Sequence, residues 1–183
     1  MKPKPKPTPK RKAESFRILL SGGDRRSVAK SDRVLEIVQA EPARVSDLVA
    51  LAEDEDWLVS MRATDILEKL AQQRPDWIAP HKRVFIGKLA DSDKWEIQVQ
   101  IVRALPLFRW TPADRQRVLE ILVRDAAHPQ KFVKAWALDS LATLSRNDAS
   151  LTPIVSRCLR DFEESGSKAL VSRARHIRQR LYS

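Results

Sequence analysis

Cysteine is almost missing from this chain. The single Cys158 excludes an internal disulfide and any cysteine-cluster metal site, and a reducing, cytoplasmic setting is the natural expectation. Glycine is also scarce, with four residues, two of them adjacent at Gly22 and Gly23. No phosphate-cradling glycine loop and no G-x-S-x-G nucleophile motif occurs. No apolar run approaches the roughly 20 residues that span a bilayer. The charged N-terminus is followed by no apolar h-region, so no signal peptide is expected. The three histidines, His81, His128 and His176, are too far apart for metal-ligand spacing, and no cofactor is expected. The acidic run Glu53–Asp56 lacks the EF-hand pattern and reads as a turn whose carboxylates favour the next helix N-terminus.

What is present points to helices. Hydrophobic residues make up 43% of 183 positions, enough for a sizeable core, and the glycine-poor, Leu-, Ala- and Arg-rich composition disfavours a sandwich or barrel. The net charge of +10 is concentrated at the ends. Residues 1–12 hold six Lys or Arg, residues 165–183 hold five, and neither stretch holds an acid. The stretch between them is close to neutral. The opening MKPKPKPTPKRK cannot propagate a helix, because each proline lacks an N–H and biases its predecessor to extended conformations. Residues 1–14 are therefore expected to form a basic, polyproline-like tail, with one folded domain over 15–183.

The folded part repeats. Asp56 to Leu70 (DWLVSMRATDILEKL), moved 38 residues along, aligns Trp57 with Trp95, Val59 with Ile97, Leu67 with Leu105 and Leu70 with Phe108. A further 36 residues bring Val133, Ala137, Leu141 and Leu144 into those slots. About 37 more reach Leu170, Ala174 and Leu181, where Arg178 replaces a leucine, as in a more polar terminal cap. Between these helices lie segments of matching length at 44–52, 79–90, 112–127 and 152–162 with apolar residues at i, i+3, i+4, i+7. Thr111-Pro112 and Thr152-Pro153 read as N-cap plus proline at the first helical position. A further helix is expected over 24–38, with FRILL (16–20) as the remnant of its partner. Pro106 predicts an early stop or kink near Leu105. The fold expected is all-α: an α-solenoid of antiparallel helix pairs, about four to five repeats of roughly 37 residues.

This pattern resembles HEAT repeats over about residues 24–183. In HEAT repeats a first helix leads through a turn carrying Asp to a second helix reading roughly V-[RK]-x-x-A-x-x-x-L-x-x-L. DRRSVAKSDRVLEIV and DWLVSMRATDILEKL also look like parts of small bacterial HEAT-repeat proteins of undefined role. The resemblance implies a non-enzymatic protein-interaction scaffold, monomeric, that presents its second helices on a concave face. Arg62, Asp65, Lys69, Arg103, Lys134 and Trp136 are the residues expected on that face. The chain departs from the pattern at Ser60, Gln98 and Lys134, where HEAT units often carry the Arg or Lys that pairs with the turn Asp.

Nucleic-acid binding through the basic ends is the alternative. Lys168, Arg175 and Arg178 can share a face of the last helix and contact phosphates, and the resemblance to HEAT-like DNA glycosylases is one of architecture alone. No carboxylate with aromatic neighbours is assigned to a catalytic role. A bilin-lyase-type subunit, also HEAT-like, has no supporting feature. Of the five tryptophans, Trp57 and Trp95 occupy one slot and are expected in the inter-repeat core, whereas Trp136 is expected to face the groove. Cys158 is expected as a buried thiol on an apolar stripe. Leu67 and Leu105 are expected in the core, and Glu68 on the surface.

Overall fold

The computed structural model describes residues 16–182, and within them there are helices, turns and no strand. The Lys–Pro tail assigned to 1–14, and Ser15, lie outside these residues. The chain divides into two compact units, one up to Leu89 and one from Ala90.

In the first unit, residues 16–20 are helical and bury Phe16 and Leu20. The chain then turns through Gly22 and Gly23, at φ of +81° and +72°, the left-handed region that favours glycine. The helix expected from residue 24 begins only at Ser31 (α1, Ser31–Ala40). Asp24 is the reason: its carboxylate accepts from the N–H groups of Arg26 and Ser27, an Asx turn that competes with helix. A 3-10 turn (Pro42–Arg44) leads into α2 (Val45–Leu51). Then comes α3 (Trp57–Gln73), capped by Asp56, which accepts from the Leu58 N–H at 2.9 Å. It ends where Arg74 precedes Pro75, which disfavours a helical conformation at Arg74. α3 packs against α1 and α2, and Val59, Ala63, Ile66, Leu67 and Leu70 are fully enclosed. The helix expected over 79–90 is a short α4 (Pro75–Ile78) followed by a 3-10 helix (Ala79–Ile86). Pro80, one residue into that helix, removes an amide donor there.

The second unit begins with α5 (Trp95–Ala104), which gives way at Pro106 to a 3-10 turn, Leu105–Leu107, as the sequence predicts. Then follow α6 (Pro112–Asp125), α7 (Lys131–Ser145), a 3-10 turn (Ala149–Leu151), α8 (Thr152–Glu164) and α9 (Lys168–Tyr182). Thr111 caps α6 as expected, accepting from the Asp114 N–H at 3.2 Å. Thr152 does not cap α8; it is already helical, and Asp148 caps the preceding 3-10 turn by accepting from the Ser150 N–H. α6 pairs with α7 and α8 with α9, while α5, α7 and α9 occupy successive second-helix slots. Ser140 on α7 donates its hydroxyl to the Val102 carbonyl on α5 at 2.6 Å, stitching one slot to the next.

The turns are held without the usual second-helix arginines. In the first unit Ser60 donates to the Ala52 carbonyl at 2.6 Å, and Arg17 pairs with Asp54 at 2.8 Å. In the second, Asp91 is gripped by Arg117 at 2.7 Å and by Arg124 at 2.8 Å, both from α6. The Asp–Arg pairing missing from the sequence pattern is thus supplied by arginines in other helices. Burial pushes the Asp91 carboxyl up, but hydrogen bonds from Arg117 and Arg124 outweigh it and hold it below the usual carboxylate range. Arg178 does the same to Glu163. A carboxylate depressed in the folded state contributes stability above its unfolded pKa, and that contribution is lost as pH falls through the folded value. Acid titration of thermal stability is therefore expected to show a loss below about pH 4 that is shallower in Asp91→Asn. An unchanged acid limb would show these pairs to be inert.

Candidate functional site

α5, α7 and α9 each turn one side chain of equivalent repeat position toward a common face: Gln100, Trp136 and Arg173. Trp136 is half-buried at the centre. Arg103, one turn beyond Gln100 on α5, places its guanidinium carbon 5.0 Å from the Trp136 ring centroid, and Arg173 on α9 reaches 4.5 Å. Both are within cation–π range. Arg103 also donates to Gln100 Oε1 at 3.2 Å. The flanking arginines come from α5 and α9, two of the helices packed against α7.

One acid organises the α9 side. Asp139 on α7 is buried, with Arg180 at 3.2 Å and Arg173 at 3.5 Å. The two arginines remain partly open, at 28% (Arg173) and 33% (Arg180) side-chain exposure. Along α9 the residues on this face are Ala169, Arg173, His176 and Arg180, at spacings of three and four. Ala169, Ser172, Arg173 and His176 line a shallow depression of about 390 Å³.

The sequence-predicted face is only partly assembled. Arg103 and Trp136 come together, as described. Lys134 does not join them: two helical positions differ by about 200° of rotation, so it points away from the Trp136 side. Its ammonium lies 6.0 Å from the Phe162 ring, at a cleft of about 310 Å³ that also includes Val123, Ile154 and Cys158. Cys158 is half-buried there instead of enclosed, and burial pushes its thiol pKa up. In the first unit Asp65 and Lys69 pair with each other at 2.7 Å across one turn of α3. Arg62 is not on an open face at all. It is 2% exposed and donates to the carbonyls of Leu20, Asp24 (2.9 Å) and Ser27 (3.0 Å). The non-helical segment before α1 leaves those oxygens without helix partners, and the guanidinium fork satisfies three at once.

The basic trio of the last helix is likewise divided. Lys168 and Arg175 are exposed, but Arg178 forms a two-bond pair with Glu163 of α8, at 2.6 and 3.0 Å. The α9 cations that reach the Trp136 face are Arg173 and Arg180, which the sequence reading missed. Their signal was the repeat itself, since Arg173 stands one repeat beyond Trp136. None of the five tryptophans is fully enclosed. Trp57, expected in the core, is half-exposed, and Trp95 stacks at 5.8 Å on Phe132. A large ring early in a second helix covers the join between helices with one edge in water.

Neither a family model nor a curated protein matches the sequence. Solved structures do match in fold. An engineered protein, a target of the Northeast Structural Genomics Consortium, superposes with a TM-score of 0.62 at 20% identity, covering 92% of this chain and 78% of that one. A designed armadillo repeat protein in complex with the peptide (KR)4 gives a TM-score of 0.60 at 16% identity, covering 92% and 73%. The fold is an armadillo-like helical repeat solenoid. The Trp136 face is therefore built from successive second helices of repeats, and repeat-equivalent residues recur along it. Among the described residues no helix is long and apolar enough to cross a membrane, and no group of three or more His, Cys, Asp or Glu is placed to hold a metal ion.

Proposed function

We propose that this chain is a non-enzymatic, cytoplasmic binding scaffold of HEAT-like kind, whose Trp136 face seats a segment of a protein partner. The observation that carries the reading is a half-buried tryptophan clamped by guanidiniums from two neighbouring helices. Trp and Arg are the residues that most often dominate binding energy at interfaces, and a side chain already held in place loses little entropy on binding. That a designed armadillo repeat protein of similar fold is in complex with a peptide supports a peptide-binding role.

The test is affinity capture from the native host with and without nuclease, using the wild-type chain and Trp136→Ala in parallel. A protein partner that survives nuclease and is lost with Trp136→Ala is the expected result. Recovery of nucleic acid alone, or of partners indifferent to Trp136, would refute the scaffold reading at this face.

A further inference from the structure

We infer that the segment seated on the Trp136 face is acidic: a stretch of extended polypeptide with carboxylates on alternate residues. This rests on the scaffold reading and adds the chemistry of the partner.

The charges of the face decide the sign. Arg103 and Arg173 flank Trp136, and Arg180 lies beyond, beside Asp139. Asp139 is buried and already faces both Arg173 and Arg180, so it offers little to an incoming cation. Glu96 stands two turns before Arg103 on α5. α9 itself contributes Arg173 and Arg180 to this face and no acid. A basic peptide such as the (KR)4 held by the designed armadillo protein would meet like charge at the centre of this face. Like charges brought together at an interface oppose binding.

The spacing admits an extended chain. Arg103 and Arg173 approach one ring at 5.0 and 4.5 Å, so their guanidiniums are no farther apart than those two lengths together. Side chains on one side of an extended segment recur every roughly 7 Å, within that reach. Arginine's planar fork binds carboxylates through two parallel hydrogen bonds, which gives such an acid pair a defined register. Acidic peptide is favoured over single-stranded nucleic acid because a base needs an open aromatic face. Here guanidiniums from α5 and α9 already lie over the ring.

The experiment measures anisotropy of labelled ten-residue peptides on the full chain at fixed salt. An alternating Glu peptide, (KR)4 and a neutral Ser/Thr peptide are compared, with oligo-dT as a fourth probe. The Glu peptide is expected to bind best, and Arg103→Glu is expected to weaken it tenfold or more. Arg175→Glu, an exposed cation away from Trp136, should change it less than twofold. Arg103→Gln, which removes the charge but keeps a polar side chain and adds no repulsion, should weaken it in the same direction and guards against misfolding, with helical content checked by circular dichroism. If (KR)4 or the neutral peptide binds better and depends on Trp136, the scaffold reading survives and the acidic one is overturned. Tighter oligo-dT binding that displaces the Glu peptide also overturns it. Binding of no probe, or binding indifferent to Arg103, overturns it as well.

Discussion

Leu67→Ala is expected to destabilise the first unit by about 2–5 kcal/mol, and Leu105→Ala the second by a similar amount. Both side chains are fully enclosed and stand in the same repeat slot. Truncation removes three buried carbons and leaves a cavity that rigid helices on several sides cannot close. Denaturant unfolding read alongside hydrogen exchange would assign each loss to its own unit. Glu68→Ala is unsuitable as a silent control, because Glu68 is fully buried and its carboxylate accepts from Gln72, contrary to its predicted surface position. Lys69→Ala serves instead: its ion pair with Asp65 is partly exposed, and a change within about 0.5 kcal/mol is expected. Small and equal losses at Leu67, Leu105 and Lys69 would contradict the repeat register.

Arg62→Leu is expected to cost about 3 kcal/mol or more and to release the N-terminal segment. Three carbonyls of residues 20–27 depend on that one guanidinium, and each hydrogen bond to a charged group is worth about 1.5–3 kcal/mol, not fully additive. Leucine fills part of the volume but supplies no donor; the Asp24 oxygen keeps the Ser27 N–H, whereas the Leu20 and Ser27 oxygens lose the guanidinium. Arg62→Lys should rescue only in part, because an ammonium cannot reproduce the planar fork. Limited trypsinolysis supplies the local readout, since Arg25 and Arg26 are exposed in the segment that Arg62 holds. Faster cleavage there, with the second unit unaffected, is the expected pattern. Wild-type melting and cleavage in Arg62→Leu would show that the network contributes nothing.

The parts of the structure legible in the sequence are those set by local chemistry. Apolar spacing placed α3, α5, α7 and α9, because a helix with one apolar stripe has one way to bury it. Pro106 stopped α5, Gly22 and Gly23 made the turn, and Thr111 capped α6, each through its own backbone preference. The misreadings arose where a competing local bond was not visible as a pattern. Asp24 replaced the first turns of a helix with an Asx turn, and Asp148 took over from Thr152 as a cap.

The candidate site was half legible for a related reason. Its slot could be read, since Arg62, Gln100, Trp136 and Arg173 recur at the repeat spacing. What each slot residue does was settled by its surroundings. Arg62 is sealed beneath the loop of residues 20–27, while Trp136 remains half-open between Arg103 and Arg173. The sequence by itself determined the helices, their period and which side of each faces the core, because those follow from covalent neighbours and burial of a stripe. Only the tertiary structure decided which repeat positions are covered and which cations meet around a tryptophan. Covering is done by a non-repeating segment, and the charge pairs that organise the face join different helices, such as Arg180 with Asp139 at 41 positions' separation, whose approach no local periodicity encodes.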